Sequence, residues 1–297
     1  MSFKKALDGL THARIFFDQP MKKLTGYGLG GCARYYAEVD SLYALNDLIT
    51  QAKQYRIKYK VIGNGTNLLF SDLGYDGLVI SIKGLSDVFF KREQVRAMAG
   101  ARLDKLIKFT IDHKFTGLEA LSGIPATVGG AIVMNAGAFG HNISDCIVSI
   151  ETLRDGKIKV YDKNQAEFGY RTSRFLGKKE VVISANFFFQ EGDREKIALS
   201  TKNYLEIRKK MHPTGKSCGS VFKNPKPQTA GALIDSAGLK GYNIGGATVS
   251  DKHANFILVD PKARAKDVYL LIQHVKKTVK EKFNIDLVEE IEYVGEF

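Results

Sequence analysis

Several features that identify particular protein classes are missing from the chain. Only three cysteines occur among its 297 residues, at positions 32, 146 and 218, and their wide separation offers neither a disulfide framework nor a zinc-binding pair. Such sparse cysteine is typical of a reducing compartment. The six histidines are scattered and include no HExxH pair, so the sequence predicts no metal site.

Long apolar segments are also lacking. No apolar run reaches the ~18 residues that a membrane-spanning helix needs. Residues 1–17 contain no continuous apolar stretch of the kind found in secretion signals. We therefore expect a cytoplasmic protein that has no membrane partner.

Basic residues outnumber acidic ones, and the formal net charge is +12. A basic chain is typical either of a nucleic-acid or nucleotide-binding module or of an enzyme that attracts anionic small molecules. No recognisable motif interleaves the basic residues with aromatics, and the densest basic stretch, 276–282, follows a helical pattern whose charges point to solvent. The sequence therefore favours a small-molecule enzyme and predicts no nucleic-acid partner.

The chain is long enough for two domains with a sizeable core, and we expect these at residues 21–190 and 193–297. Helices and strands mix without the strict alternation of a doubly wound sheet, so the predicted fold class is α+β. The predicted elements are a helix capped by Asp40, strands at 58–63 and 78–82, a helix at 102–114, a hairpin turning at Asp155-Gly156, a strand at 180–190, a helix from Gly192-Asp193 to near Pro213, a helix at 229–237, a strand at 255–260, a helix at 266–283 and a closing strand at 286–294.

A first glycine-rich stretch follows the strand at 58–63 and reads "GNGTNLL". It is not GxGxxG, because Leu68 takes the place of the third glycine, and no GKS or GKT closes it as in a P-loop. The residues that follow are too rich in glycine and aspartate to form a helix that receives a phosphate. Two interpretations stay open: a nest of backbone N–H groups for an anion, with Asn64 and Asn67 as extra donors, or a tight turn between strands.

A second stretch at 122–140 reads "SGIPATVGGAIVMNAGAFG" and carries almost no charge. Its glycine density and Pro125 exclude a membrane span. Small residues allow close approach, and exposed N–H and C=O groups can bond a large flat ligand. Two such backbone-rich walls in one domain suit a dinucleotide.

A competing motif lies at 215–219, where "GKSCG" fits the G-x-S-x-G nucleophile elbow of hydrolases. That elbow needs a strand before the serine and a helix after it. Here a helix end precedes the motif and a strand-like run follows it. The sequence therefore disfavours a hydrolase, and no motif pairs Cys218 with a base.

Several motifs, taken together and in order, resemble one family, the UDP-N-acetylenolpyruvoylglucosamine reductases, within the FAD-binding superfamily of vanillyl-alcohol oxidase and cresol methylhydroxylase. The matching segments cover nearly the whole chain. They are "GNGTNLL", "GLEALSGIPATVGGAIVMNAGAFG", "GYRTSRF" at 169–175, "CGSVFKNP" at 218–225, "AGALIDSAGLKGYNIGGATVSDKHANFILV" at 230–259 and "LVEEIEYVG" at 287–295.

The resemblance implies a two-lobed FAD-binding domain at 21–190 and a smaller C-terminal α+β substrate domain at 193–297. It also implies a reaction of bacterial peptidoglycan precursor synthesis, in which NADPH reduces FAD and the flavin then reduces an enolpyruvyl ether of a UDP-sugar to a lactyl ether. The expected partners are thus FAD, NADPH and the UDP-sugar. An alternative is a flavin-dependent alcohol oxidase of the same superfold.

The resemblance also implies roles for individual residues. Arg171 matches the cation for the substrate carboxylate, Ser220 the proton donor, and Glu290 the third catalytic position; alternation along the closing strand puts Glu289 on the opposite face. The expected substrate-binding residues are Tyr170, Lys223 and Asn224. The expected cofactor-binding residues are Gly63, Asn64, Gly65, Thr66, Asn67, Gly123, Ile124, Pro125, Thr127, Gly129, Gly130, Asn135 and Gly137.

Two departures from the family pattern are visible. Ala126 stands where the family usually has glycine, which makes backbone approach harder there. Only a few residues separate Arg174 from the next predicted strand, so the chain lacks the insertion of the longer subtype and resembles the shorter one. No residue of this chain corresponds to the tyrosine that covers the substrate in the longer subtype.

Overall fold

The computed structural model describes residues 2–297, which form two compact units. The first unit comprises residues up to 16 together with 35–64 and 77–208, and the second comprises 17–34, 65–76 and 209–297. Residues 17–34 and 65–76 thus join the C-terminal third of the chain, although most of them lie within the domain expected at 21–190. That expected division concerns FAD and substrate binding, and it stays a prediction.

The elements follow in chain order. The helices are α1 (Phe3–Asp8), α2 (Leu42–Gln54), α3 (Leu103–Asp112), α4 (Val128–Val133), α5 (Arg194–Met211), α6 (Ala230–Ser236) and α7 (Ala265–Phe283). The strands are β1 (Arg14–Pro20), β2 (Cys32–Glu38), β3 (Tyr59–Ile62), β4 (Leu68–Phe70), β5 (Tyr75–Ser81), β6 (Val88–Lys91), β7 (Gln94–Met98), β8 (Phe115–Thr116), β9 (Gly137–Ala138), β10 (His141–Asn142), β11 (Ile147–Arg154), β12 (Lys157–Asp162), β13 (Val181–Phe187), β14 (Gln190–Glu191), β15 (Asn243–Ile244), β16 (Ala247–Val249), β17 (Ile257–Val259) and β18 (Glu292–Val294). This mixture confirms the α+β class.

Two larger sheets contribute to the first unit. One has the strand order β1-β2-β5-β3, and within the unit β3 pairs in parallel with β5 so that Ile62 lies opposite Ser81. The other has the order β12-β11-β13-β7-β6 and is antiparallel. Its central strand β13 is buried along its whole length, as its apolar sequence predicts. Helices α2, α3 and α4 contribute to the same apolar core.

The second unit has its own apolar core, in which α6 and α7 pack with the three-stranded sheet β15-β16-β17. Helix α7 is buried along one face, at Val268, Leu271, Ile272, Val275 and Val279, which is the spacing of an amphipathic helix. In the same unit β18 pairs in parallel with β4, with Glu292 opposite Leu68. Strand β4 follows the first glycine-rich stretch directly, so that the prediction of no helix after it is confirmed.

The hairpin predicted at Asp155-Gly156 is confirmed. Arg154 pairs with Lys157, and the two turn residues have φ of 51° and 74°. Positive φ at both central residues is the signature of the type I′ turn that matches the twist of paired strands.

Two sequence expectations are wrong in detail. Ser41, not Asp40, caps α2, because its hydroxyl accepts the N–H of Ala44. The closing strand expected at 286–294 is regular only over Glu292–Val294; residue 289 forms an isolated bridge with Phe222. Strand alternation therefore does not extend through 289 and 290, and the faces of these two side chains do not follow from it.

The hydrolase motif is excluded by its surroundings. Helix α5 ends at Met211, before the motif, and Lys216 and Ser220 form only isolated bridges, with Val259 and Phe256. Neither the strand nor the helix of a nucleophile elbow is present around residues 215–219. Burial raises the pKa of the Cys218 thiol to about 12, so this cysteine is not a thiolate at neutral pH.

Candidate functional site

The two glycine-rich stretches meet in the first unit. A Cβ atom at Gly63 would overlap the Thr127 hydroxyl, so only glycine lets the end of β3 lie against the second stretch. The Asn64 side-chain amide donates to the carbonyl of Pro125 at 2.8 Å. Two segments about sixty residues apart thus form one continuous surface of backbone.

The two adjacent glycines of α4 differ in their surroundings. Gly129 is buried, its N–H donates to the Ala99 carbonyl at 2.8 Å, and a Cβ there would lie 2.8 Å from the Ala99 side chain. Close packing against Ala99 is therefore sufficient to explain why position 129 is glycine. Gly130 is exposed, and a Cβ there would approach only the Thr127 hydroxyl, at 3.4 Å. Gly130 therefore offers bare backbone to a ligand, whereas Gly129 serves the core.

Thr127 organises this segment from a buried position. Its hydroxyl accepts the N–H of Gly130 at 3.3 Å and caps α4. Upstream, Gly123 and Pro125 are exposed, whereas Ile124 packs against the core. Gly123, Pro125 and Gly130 thus face solvent, while Thr127 and Gly129 hold the segment from the core side.

Asn135 and Arg171 extend the same surface. Asn135 is 5% exposed and has a φ of 44°, and its amide donates to the Gly169 carbonyl at 2.9 Å. Its side-chain oxygen is buried without a hydrogen-bond partner. A buried polar atom without a partner is uncommon and calls for a ligand or water. The strained backbone at this residue is of the kind that clusters at functional sites.

Arg171 is attached to this surface by its guanidinium, which donates to the Gly137 carbonyl at 2.6 Å. Gly169 and Thr172 bridge each other, so Tyr170 and Arg171 form the tip of a tight turn, and Arg171 has a φ of 52°. The Tyr170 side chain is 50% exposed, and its ring lies 5.2 Å from the Arg171 guanidinium carbon. The turn thus presents a charged and an aromatic group side by side.

The sequence did not single out Arg208, near the end of α5. Its Nε–H donates to the carbonyl of Ser122 at 3.0 Å, and one of its terminal nitrogens is buried without a partner. Burial and, to a smaller extent, the charge of Arg171 lower the pKa of Arg208. Nothing in the sequence distinguishes this arginine from the other basic residues of the helix.

The remaining residues of the first stretch belong to the second unit. Gly65 has a φ of 65°, and a Cβ there would overlap the Leu24 carbonyl, so its identity is required by the fold itself. Thr66 is half-buried. The Asn67 side chain donates to the Glu290 carbonyl at 2.9 Å, which ties the stretch to a predicted catalytic residue.

Ser220 and Glu290 lie on a short ladder in this second unit, defined by residues 220–223, 255–256 and 288–290. Ser220 bridges Phe256, the Val221 N–H donates to Asn255, and the Glu290 N–H donates to the Val221 carbonyl at 2.7 Å. Val221, which follows Ser220, thus accepts a main-chain hydrogen bond from Glu290. The structure brings this predicted pair together through the main chain.

Asn255 is a second residue that the sequence did not single out. It is 3% exposed, and its side chain accepts the Phe222 N–H at 2.9 Å and donates to the Phe222 carbonyl at 2.8 Å. The Asn255 amide therefore makes to the backbone of Phe222 the two hydrogen bonds that a neighbouring strand would otherwise make. An asparagine inside an apolar run carries no sequence signal of this use.

Glu289 and the predicted substrate-binding residues are placed as follows. Glu289 forms an ion pair with Lys276 at 2.7 Å, which gives it a structural partner of its own. The Asn224 side chain accepts the N–H of Ala230 at 3.0 Å at the start of α6. Lys223 is half-buried, and its N–H donates to the Val288 carbonyl. Asn224 and Lys223 therefore extend the ladder toward α6.

Two further observations concern metal ions and membranes. Within residues 2–297, no group of three or more His, Cys, Asp or Glu side chains is placed to hold a metal ion. None of the helices in that range combines the length and apolarity that crossing a bilayer requires.

Comparison with known proteins covers both ends of the chain. Residues 33–161 match the FAD binding domain family, and residues 210–294 match the C-terminal domain of UDP-N-acetylenolpyruvoylglucosamine reductase. The reductase of that name from Caldanaerobacter subterraneus is 39% identical over 289 residues, 97% of this chain and 96% of the relative. The one from Bacillus subtilis is 39% identical over 286 residues, 95% and 94% of the two chains.

A solved structure gives the same result. The crystal structure of UDP-N-acetylenolpyruvylglucosamine reductase from Thermus caldophilus aligns with a TM-score of 0.81 at 33% identity, covering 95% of this chain and 99% of that one. The similarity therefore holds for the entire fold as well as for the sequence.

Proposed function

The chain belongs to the UDP-N-acetylenolpyruvoylglucosamine reductase family, and from that premise we propose that it reduces UDP-N-acetylglucosamine enolpyruvate to UDP-N-acetylmuramate, with FAD as cofactor and NADPH as hydride donor. The reaction belongs to bacterial peptidoglycan precursor synthesis, and we place it in the cytoplasm. Residues 21–190 are proposed as the FAD-binding domain and 193–297 as the substrate domain.

One observation supports this function over a flavin-dependent alcohol oxidase. The match includes residues 210–294, the family's own C-terminal domain, in addition to the FAD-binding part. Ser220 and Glu290 both lie in that C-terminal match. An enzyme that shared only the cofactor-binding fold would have no reason to match there.

The residues of the two glycine-rich stretches fit a large cofactor. The open face of Gly130 and the unpartnered oxygen of Asn135 support this assignment, because one leaves backbone and the other a polar atom for a ligand. We propose that 63–67 hold the diphosphate and that 123–137 flank the ring. Bound FAD supplies the hydride that the enol carbon C3 of the substrate accepts.

Arg171 is proposed to bind the substrate carboxylate. Hydride addition at C3 leaves negative charge on C2 and its carboxylate, and a fixed cation stabilises that charge best where it develops. A guanidinium forks onto a carboxylate with two parallel bonds and does not lose its proton. Its bond to the Gly137 carbonyl uses one of five N–H donors and restricts its orientation.

Ser220 and Glu290 complete the proposed machinery. Ser220 gives its hydroxyl proton to C2, and Glu290 supports the electrophilic network around the developing charge. A serine hydroxyl is a weak acid, so its position must be well defined. The hydrogen bonds of the ladder that flank both residues supply that definition.

Tyr170, Lys223 and Asn224 are proposed to bind the UDP-sugar. The Tyr170 ring is half-exposed beside Arg171, and within residues 2–297 the Lys223 ammonium forms no ion pair. An ammonium without an ion-pair partner suits a diphosphate as a point charge.

The test is a pair of anaerobic half-reactions followed by flavin absorbance. We expect the purified protein to bind FAD, NADPH to bleach the flavin, and the enolpyruvyl sugar nucleotide to restore its absorbance. Bleaching by simple alcohols without NADPH, or failure of the enolpyruvyl compound to restore colour, would contradict the proposal. A protein that cannot be loaded with FAD would exclude the oxidase as well.

A further inference from the structure

Arg208 carries a charge that its own unit does not neutralise. Its Nε–H bond goes to the neutral carbonyl of Ser122, and one terminal nitrogen is buried without any partner. Within residues 2–297 no carboxylate forms an ion pair with it. The charge of Arg171, which is of the same sign, lowers the pKa of Arg208 in addition to burial.

Arg96, another half-buried arginine of the same unit, shows how the fold otherwise treats such a group. Arg96 has a side chain only 12% exposed, and it forks onto Glu151, with one N–O distance of 2.6 Å. Arg208 is half-buried, and a partly desolvated cation without a counter-ion is less stable than a paired one, since no carboxylate offsets the water it has lost. The lack of a carboxylate at Arg208 therefore leaves its buried terminal nitrogen able to stabilise a negative charge from outside the chain.

The surroundings of Arg208 indicate where that charge belongs. A Cβ at Gly123 would lie 2.9 Å from the Arg208 Cδ, so the side chain lies directly on the second glycine-rich stretch. The ring of Phe139, at the other end of that stretch, is 5.8 Å from its guanidinium carbon. Two more polar atoms of the stretch, the Ser122 hydroxyl oxygen and the Asn135 side-chain oxygen, are buried without partners.

From this arrangement we infer that Arg208 is a cofactor-tuning residue, whose positive charge stabilises the negative charge that two-electron reduction places on the flavin ring. The inference rests on the proposed function, which assigns 123–137 to the ring. A cation near the ring favours the reduced form over the oxidised form and raises the reduction potential. The effect acts through space and needs no direct hydrogen bond.

The experiment compares variants that separate charge from shape. Arg208→Met removes the charge and keeps an unbranched apolar side chain, whereas Arg208→Lys keeps the charge. Arg194→Met is the matched control, because it removes one charge from the same helix at an exposed residue paired with Asp112. Each holoenzyme is titrated anaerobically against a reference dye to obtain the potential of bound FAD, and oxidised FAD is titrated into each apoprotein.

We expect Arg208→Met to lower the binding of reduced relative to oxidised FAD at least tenfold, which is ~30 mV in potential for a two-electron couple. Arg208→Lys and Arg194→Met should stay within about twofold of the wild type, with oxidised FAD bound normally by all three. That pattern assigns the effect to charge at position 208.

Four other results would overturn the inference. An unchanged potential in Arg208→Met would show that the charge does not reach the ring. Equal shifts of the flavin potential in Arg208→Met and Arg208→Lys would show that the shape of the side chain matters and its charge does not. Weaker binding of oxidised FAD by Arg208→Met, with the potential of bound FAD unchanged, would assign Arg208 to the diphosphate. Loss of FAD from both Arg208 variants would show that the residue has a structural role.

Failure of the proposed function would appear separately. A wild-type protein that binds FAD but is not reoxidised by the enolpyruvyl substrate would refute the assigned reaction. The potential of its flavin, and the response of that potential to Arg208, would still be measurable.

Discussion

Asn67 donates a hydrogen bond from its side-chain amide to the main-chain carbonyl of Glu290, 2.9 Å away and 223 positions along the chain. A second bond runs the other way, since the Glu292 N–H donates to the Asn67 carbonyl at 2.9 Å. A residue expected to bind FAD and a residue expected to act in catalysis are therefore held to each other. The backbone at Glu290 takes its position partly from the first glycine-rich stretch.

Asn67→Ala tests that link. Loss of the amide leaves the Glu290 carbonyl without one bond, worth about 1 kcal/mol, so flavin reoxidation by the enolpyruvyl substrate should slow about five- to tenfold. FAD affinity should stay within about threefold, because the Asn67 side chain is bonded to Glu290 and only its backbone is left for the diphosphate; the control Asn203→Ala, on the exposed face of α5, should behave likewise. Stopped-flow absorbance and FAD titration measure the two quantities. Weakened FAD binding with an unchanged rate would instead assign the side chain to the cofactor.

Gly130→Ala tests the cofactor surface more cleanly than a change at Gly65. At Gly65 any side chain overlaps the Leu24 carbonyl, so loss of FAD there would also report misfolding. At Gly130 the added methyl would meet only the Thr127 hydroxyl, at 3.4 Å, and alanine favours a helix by up to about 1 kcal/mol over glycine. We expect FAD affinity to fall at least tenfold while the apoprotein melts at the same or a higher temperature.

Gly9→Ala is the control for this experiment, because Gly9 follows α1 with φ of −82° and a Cβ there meets only an ordinary 3.7 Å contact. It should leave FAD affinity unchanged. Normal FAD affinity in Gly130→Ala would remove α4 from the proposed ring site.

Glu290→Gln and Glu289→Gln should separate catalysis from stability. Glu290→Gln removes the proposed catalytic carboxyl group and should slow flavin reoxidation by roughly 10²-fold. Glu289→Gln breaks the partly buried pair with Lys276 and should lower the free energy of unfolding by about 1 kcal/mol, with reoxidation within a few-fold. Denaturant unfolding and stopped-flow kinetics measure the two effects. Reversed behaviour of the pair would mean that Glu289 is the catalytic carboxylate.

Ser220→Ala isolates the proposed proton donor. Flavin reduction by NADPH should stay within about a few-fold of the wild type, and reoxidation should fall by ~10²–10⁴, as is typical when a general acid is lost. Ser236→Ala, at an exposed position in α6, is the control. If both half-reactions of Ser220→Ala slow equally, the serine shapes the pocket or the flavin; if neither slows, the proton comes from another group.

Local chemistry explains which elements the sequence predicted well. Asp155-Gly156 accepts the positive φ values of its turn, and the apolar face of α3 is buried at Leu103, Leu106 and Ile107. The predicted cap of α2 was wrong by one residue because Asp40 and Ser41 are both good N-cap residues. Only the path of the backbone decides which of the two side chains reaches the N–H of Ala44.

Long-range contacts explain what the sequence did not predict. Arg208 and Asn255 matter through partners 86 and 33 positions away, and neither belongs to a local motif. The resemblance to a family suggested Ser220 and Glu290, but not the Asn255 amide that holds Phe222 next to them in the ladder. The closing strand was overestimated because alternating apolar residues also suit the irregular ladder around residue 289.

Asn255→Asp should make the ladder sensitive to pH. An ionised carboxylate still accepts the Phe222 N–H but cannot donate to the Phe222 carbonyl, whereas the protonated form can do both. Burial raises the pKa of a carboxyl group, so stability and reoxidation rate should be highest at low pH and fall as the pH rises through that pKa. The ratio of variant to wild-type rates between pH 5 and 8 measures this, and a flat ratio contradicts a donor role for Asn255.

The pairing of β18 with β4 also bears on how the protein acquires its structure. Contacts between residues more than two hundred positions apart require a large loop to close before they gain any free energy, and such contacts form slowly. Glu292 and Leu68 become neighbours only after everything between them has been synthesised. Because the ribosome synthesises residues 68 and 292 far apart in time, the contacts that position Glu290 form late in folding.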